Sequence, residues 1–168
     1  FSASNRFIVS KNSNFYIGSS LGFFQRSIDY DLVVLNDFEQ FPYTGYKFID
    51  ASIGLSYDKE INSSTHLITG LSLFHINKPK QTLQNNKDVF LKQNNNYHFT
   101  IIYYFNRKLQ FTSSIFYSGQ GKSNELVYGS GINYLVKVKE NETLVLRSAF
   151  DIRKKDAIIS VLGLKIDN

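Results

Sequence analysis

Cysteine, methionine and tryptophan are all missing from this 168-residue chain. Without cysteine there is no disulfide, no Cys-ligated zinc or iron–sulfur centre and no thiol nucleophile, and the redox state of the compartment stays open. Only two prolines occur, Pro42 and Pro79, so long stretches can hold an unbroken hydrogen-bonded ladder. No run reaches the roughly 18–20 uncharged apolar residues that a membrane-spanning helix needs. That absence leaves a β-barrel wall open, because each of its strands needs only about ten residues, and these alternate. The first residues also lack the charged, apolar and small-residue zones of a signal peptide, and with no methionine the chain reads as an internal or processed piece.

What is present is the balance of a folded chain: 42% hydrophobic, 15% aromatic and 20% charged residues, with a net charge of +5 that favours an acidic partner. A single domain over 1–168 is expected, and helical periodicity fits badly throughout. Alternation with period two fits repeatedly. From Phe48 to Lys59, residues Ile49, Ala51, Ile53, Leu55 and Tyr57 take one face, and Asp50, Ser52, Gly54, Ser56 and Asp58 the other. The same parity runs from Tyr97 to Phe105, with Ile102 out of step, and from Leu109 to Tyr117, with Phe116 out of step. It returns from Leu126 to Val138, from Leu144 to Ile152 and from Ile158 to Leu164, while Phe15–Ser27 and Thr65–Ile76 alternate less cleanly.

Counting Arg6–Ser10, nine such segments appear, and their connections alternate in length. Short links fall at 11–14, 60–64, 106–108 and 139–141; long ones at Asp29–Lys47 and Asn77–Asn96; a medium one at Gly119–Asn124. Only the short Arg153–Lys155 link is out of step. Tight turns at one end and long loops at the other mark an up-and-down barrel of the outer-membrane kind. Segments of about ten to thirteen residues exceed ordinary soluble strands and suit a tilted bilayer crossing. Aromatics such as Tyr57, Phe74, Tyr97, Tyr103, Phe105, Tyr117 and Tyr134 cluster at strand ends, as interfacial girdles do. The competing reading places the eleven Tyr and fifteen Phe in a soluble sandwich core. Because bacterial barrels close with an even strand number, either the count of nine is off by one or the antiparallel transmembrane β-barrel expected here, with about eight or nine strands present, is incomplete.

Chemistry has few footholds. His66, His75 and His98 lie nine and twenty-three residues apart with no ligand-spaced partner, so no metal site is expected. Gly119-Gln-Gly121-Lys122-Ser123 imitates the end of a phosphate loop, but its first glycine would fall on Phe116 and a strand follows where a helix must. The sequons at Asn62 and Asn141 fall in tight turns and carry no weight. No nucleophile elbow or paired carboxylates point to an enzyme, so no catalytic residue and no cofactor are assigned. Lysine and arginine interleave with aromatics, as nucleic-acid platforms require, yet they concentrate in turns and loops (Lys78, Lys80, Lys87, Lys92, Arg107, Lys108, Lys122, Lys139, Lys154, Lys155). No nucleic-acid partner is assigned. Asp50, Arg147 and Asp151, on the polar face, are expected to point into the lumen, which side chains would fill or leave as a pore.

The run Gly70-Leu-Ser72-Leu-Phe74-His75-Ile-Asn77-Lys-Pro79 resembles the strand-to-loop motif of the PorP/SprF family of type IX secretion system membrane proteins. Further matches follow in order: Phe111-Thr-Ser-Ser114, Tyr117-Ser-Gly119-Gln-Gly121, Gly129-Ser-Gly131, and Arg153-Lys-Lys-Asp156-Ala157-Ile158-Ile159 with Gly163. Lys78 departs from a frequent Gln, and Ser113 from a frequent Pro. The resemblance covers roughly residues 48–166, and it implies a longer barrel whose opening and closing strands lie outside this piece. It implies an outer-membrane barrel that works with type IX secretion and gliding components in export or surface anchoring of cargo, such as adhesins, through the cargo's C-terminal domain. Gly70, Ser72, His75, Asn77, Pro79, Arg153 and Asp156 are then candidate partner contacts. Small residues at 70 and 72 would admit a neighbour, and Pro79, unable to donate, would end pairing near Asn77. The alternatives are a porin-like channel for small solutes and a soluble lipid- or nucleic-acid-binding barrel.

Overall fold

The computed structural model describes residues 1–27, 45–81, 89–139, 142–154 and 156–167. The interior of the expected Asp29–Lys47 connection with Pro42, and also Lys87, Asn141 and Lys155, lie outside the described residues. Every regular element described is a strand: β1 (Ser2–Ser10), β2 (Ser13–Ser27), β3 (Gly45–Asn62), β4 (Thr65–Phe74), β5 (Asn94–Tyr104), β6 (Leu109–Gln120), β7 (Ser123–Lys139), β8 (Glu142–Arg153) and β9 (Ala157–Asp167). All nine form one antiparallel sheet in chain order, an up-and-down wall that does not close.

Directly opposed residues in such a ladder share a face, so the register extends the local alternation across the whole sheet. One row reads Ser4, Gly18, Gly54, Ser72, Asn96, Ser118, Glu125, each opposite the next. On the other face a row reads Ile17, Leu55, Leu71, Tyr97, Tyr117, Leu126. The two residues that broke the sequence alternation lie on the polar face, Ile102 opposite His66 and Thr112, and Phe116 opposite His98 and Val127.

A single sheet has no second layer to pack against, and the burial shows it. Within the described strands Ala149, 3% exposed, is the one apolar side chain that is buried. Ile53 is 41% exposed and Ile132 48%, while Phe111 is half-buried on the same face. The apolar side chains are therefore left largely uncovered and do not meet in a dry centre.

Two of the tight connections at one end are closed by an asparagine side chain. Asn62 Oδ1 accepts the Ser64 N–H at 2.9 Å, and Asn106 Oδ1 accepts those of Lys108 and Leu109 at 2.8 and 2.9 Å. These side chains imitate a turn hydrogen bond, which accounts for the asparagine of the Asn62 sequon. At the opposite end the length pattern is less regular than expected. The Gly119–Asn124 link shrinks to a two-residue turn, Gly121-Lys122, because Gly121 adopts φ +62°, which a glycine takes without strain.

Glycine is demanded at Gly131, where an added Cβ would lie 2.6 Å from the Ala149 Cβ and 3.0 Å from the Ser148 carbonyl. At Gly18 the nearest atoms would be 3.7 Å away. Gly131→Val should therefore cost about 1–3 kcal/mol in overpacking, read as a shifted urea midpoint in detergent. Gly18→Ala should leave that midpoint unchanged or slightly raised.

Candidate functional site

The Gly70–Pro79 segment forms the base of the β4–β5 connection. The ladder stops at Phe74, earlier than proline alone predicts, because His75 turns left-handed at φ 58° and Lys78 follows at φ 45°. Between them the Lys78 N–H reaches the His75 carbonyl at 3.0 Å. Beyond Lys78 the chain pairs again. Pro79, buried, offers its carbonyl to the Leu91 N–H at 2.9 Å, Gln81 N–H reaches Val89 at 2.6 Å, and Lys80 bridges Phe90.

Three consecutive residues fasten this base to β3. The Ile76 N–H donates to the Ala51 carbonyl at 3.0 Å. Asn77 then acts as a surrogate strand residue: its Oδ1 accepts the Ala51 N–H at 3.1 Å and its Nδ2 donates to the Ile49 carbonyl at 2.6 Å. His75 Nδ1 lies 2.8 Å from Asp50 Oδ2. Asp50 is 9% exposed, and its other oxygen has no hydrogen-bond partner. A buried carboxylate that loses its one partner is costly, so this pair holds His75 in its left-handed conformation.

The register explains why Asp50 and His75 were assigned separately from sequence. Ile53 opposes Leu73, and continuing that pairing past the end of β4 carries Asp50 to the level of Ile76. The same logic yields a second cross-strand pair the sequence reading missed, His66 Nε2 with Asp58 Oδ1. Spacing along the chain hides both pairs; the turn at 63–64, once located, supplies the signal.

The remaining candidates divide between two other places. At Gly70 the His98 ring occupies the space of a side chain, its Cε1 2.5 Å from where a Cβ would sit, and Ser72 lies between Gly54 and Asn96. Arg153 closes the β8–β9 turn, with Nε donating to Asp156 Oδ1 at 2.7 Å and a guanidinium nitrogen 3.6 Å from Glu125. This turn and the His75–Pro79 base share the end that carries the β2–β3 and β4–β5 connections, but four strands separate them. Arg147 and Asp151 share the polar face with Asp50 yet flank Ala149 on β8, and no ion pair joins them among the described residues. The described residues contain no group of three or more His, Asp or Glu arranged to hold a metal.

Asn77→Ala removes two hydrogen bonds to main chain, a loss of about 1–3 kcal/mol locally. Trypsin should cut after Lys80 roughly tenfold faster or more in the folded variant, with the strands themselves still protected. Unchanged cleavage would show that Asn77 does not hold the base.

No match was found among curated proteins or among solved structures. The family whose sequence model matches is described as type IX secretion system membrane protein PorP/SprF, and the match runs over residues 1–168. Its members are outer-membrane components of that secretion system, in keeping with an up-and-down sheet whose larger apolar side chains are exposed on one face. With the motif residues, the strand architecture and the full-length match in agreement, the chain belongs to the PorP/SprF family of type IX secretion system membrane proteins.

Proposed function

We propose that the chain is one domain forming part of a barrel wall that supports export or surface anchoring of cargo proteins such as adhesins, through contacts at the end carrying its long connections. The observation that carries this reading is the stapled loop base, in which His75, Asn77 and the buried Pro79 hold the β4–β5 connection against β3. A long loop loses conformational freedom on binding, and anchoring its root lowers that cost before a partner arrives. In outer-membrane barrels the long loops are external, so this end is the surface a displayed cargo meets. Arg153 and Asp156 shape another turn on the same rim and extend the contact surface.

In this reading the apolar face meets lipid, while Asp50, Arg147 and Asp151 face the interior. A charge on a lipid face near mid-membrane costs about 2–4 kcal/mol. Ile53→Lys should thus sharply reduce the heat-modifiable, protease-resistant form recovered from outer membranes, whereas Gly54→Lys, one residue along on the small face, should reduce it much less. Equal recovery of both would reverse the assigned orientation.

The function itself is tested by replacing His75 and Pro79 together with alanine. The expected result is normal insertion with loss of a surface-displayed cargo reporter. Loss of insertion would leave these residues a purely architectural role.

A further inference from the structure

Strands β6 to β9 carry a row of directly opposed residues across the polar face: Gln110, Asn133, Arg147 and Gly163, each facing the next. One step nearer the tight-turn end, the next row reads Leu135, Val145 and Lys165. The two rows line a depression of about 400 Å³. Small-molecule sites have volumes of roughly 300–1,000 Å³.

The depression exists because one side chain is missing from it. Opposed Cβ atoms in such a ladder stand about 5 Å apart, so a full side chain at every position of the first row would close the space. At Gly163 an added Cβ would meet nothing nearer than the Arg147 Cβ at 3.8 Å. The side of Arg147 toward β9 is therefore open. One step further from the tight turns the sheet is filled, with Ala149 buried between Gly131 and Val161. Main chain fixes the other wall, since the Leu135 N–H donates to the Lys108 carbonyl at 2.8 Å.

The chemistry of the lining is that of an anion receptor. The Arg147 guanidinium offers a planar fork of donors that matches a carboxylate, and the carboxamides of Asn133 and Gln110 supply further N–H groups. Among the described residues no carboxylate reaches Arg147. Asp151, two places along the same face of β8, has its Oδ1 over Gly129 instead. Lys165, engaged in a contact of its own, adds positive charge at the border. Beside these polar groups Leu135 and Val145 make an apolar wall, which favours an anion carrying some hydrocarbon over a bare inorganic one.

We propose that this depression binds a short-chain organic carboxylate, with its headgroup on Arg147 and Asn133 and its hydrocarbon part along Leu135 and Val145. The site lies toward the opposite end of the wall from the connections assigned to cargo, and it stands or falls independently of that reading.

The test uses the complete protein in detergent micelles, with trifluorobutyrate as probe and its saturable line broadening in fluorine NMR as readout. Arg147→Gln should weaken binding at least tenfold, the scale of a lost charge-assisted pair. Arg147→Lys keeps the charge without the fork and should fall between. Gly163→Val fills the floor while leaving every charge in place, and should also cost tenfold or more. Arg6→Gln removes an equal charge elsewhere on the polar face, opposite Tyr16, and should change binding less than twofold. Should Arg147→Gln fail to fold, the contrast between Gly163→Val and Arg6→Gln decides. No saturable binding by the unmodified protein, unchanged binding after Arg147→Gln or Gly163→Val, or an equal loss after Arg6→Gln would overturn the site. Displacement of the probe by inorganic phosphate as readily as by butyrate would overturn the organic carboxylate as its ligand.

Discussion

Everything in this protein depends on one continuous ladder of antiparallel main-chain hydrogen bonds. A soluble domain can offset an imperfect ladder by burying apolar area between layers. Here there is one layer and almost no interior, with Ala149 the single buried apolar side chain within the described strands. Cohesion must come from backbone pairing, which strengthens where water is absent, because a polar group leaving its partner would have nothing else to bond. The scarcity of proline follows. Pro79, the one proline among the described residues, stands beyond the end of β4, where its carbonyl alone is required.

The ladder also explains which features could be read from the chain and which could not. Strand identity and facing are local properties of alternation, so Ile53 and Gly54 were legible as opposite faces before any pairing was known. The exceptions were informative as well, since Ile102 and Phe116 stay in their strands and turn their side chains to the polar face. Strand ends were less legible because they depend on single backbone conformations. β4 stops where His75 turns left-handed, and β6 and β7 run almost into each other because Gly121 makes a two-residue turn possible.

The loop base illustrates a different limit. Gly70, Ser72, His75, Asn77 and Pro79 stood out as a motif, and Asp50 stood out as a charge on the polar face. Nothing in linear spacing joined them. The partners of a β-sheet lie at separations set by turn position, and twenty-five residues separate His75 from Asp50. The two cross-strand carboxylate–histidine pairs, and the His98 ring lying over Gly70, are therefore consequences of register. A motif that looks like a string of separate residues becomes a clasp only after the β3–β4 hairpin has been closed.

The distribution of constraint follows from the same source. Within the wall each residue answers to two cross-strand neighbours, as Gly131 does to Ala149, and to whatever covers its outer face. At the rim the ladder runs out unevenly: β3 continues past the end of β4, Asn77 occupies part of the exposed margin, and Phe24, Phe48 and Tyr46 stack beside the rest. There the uneven ends are held by side chains, which take over from the main-chain ladder where β4 stops. The energetics of the sheet thus concentrate side-chain fastening at that margin, where the His75–Asp50 pair and Asn77 hold the β4–β5 connection in position.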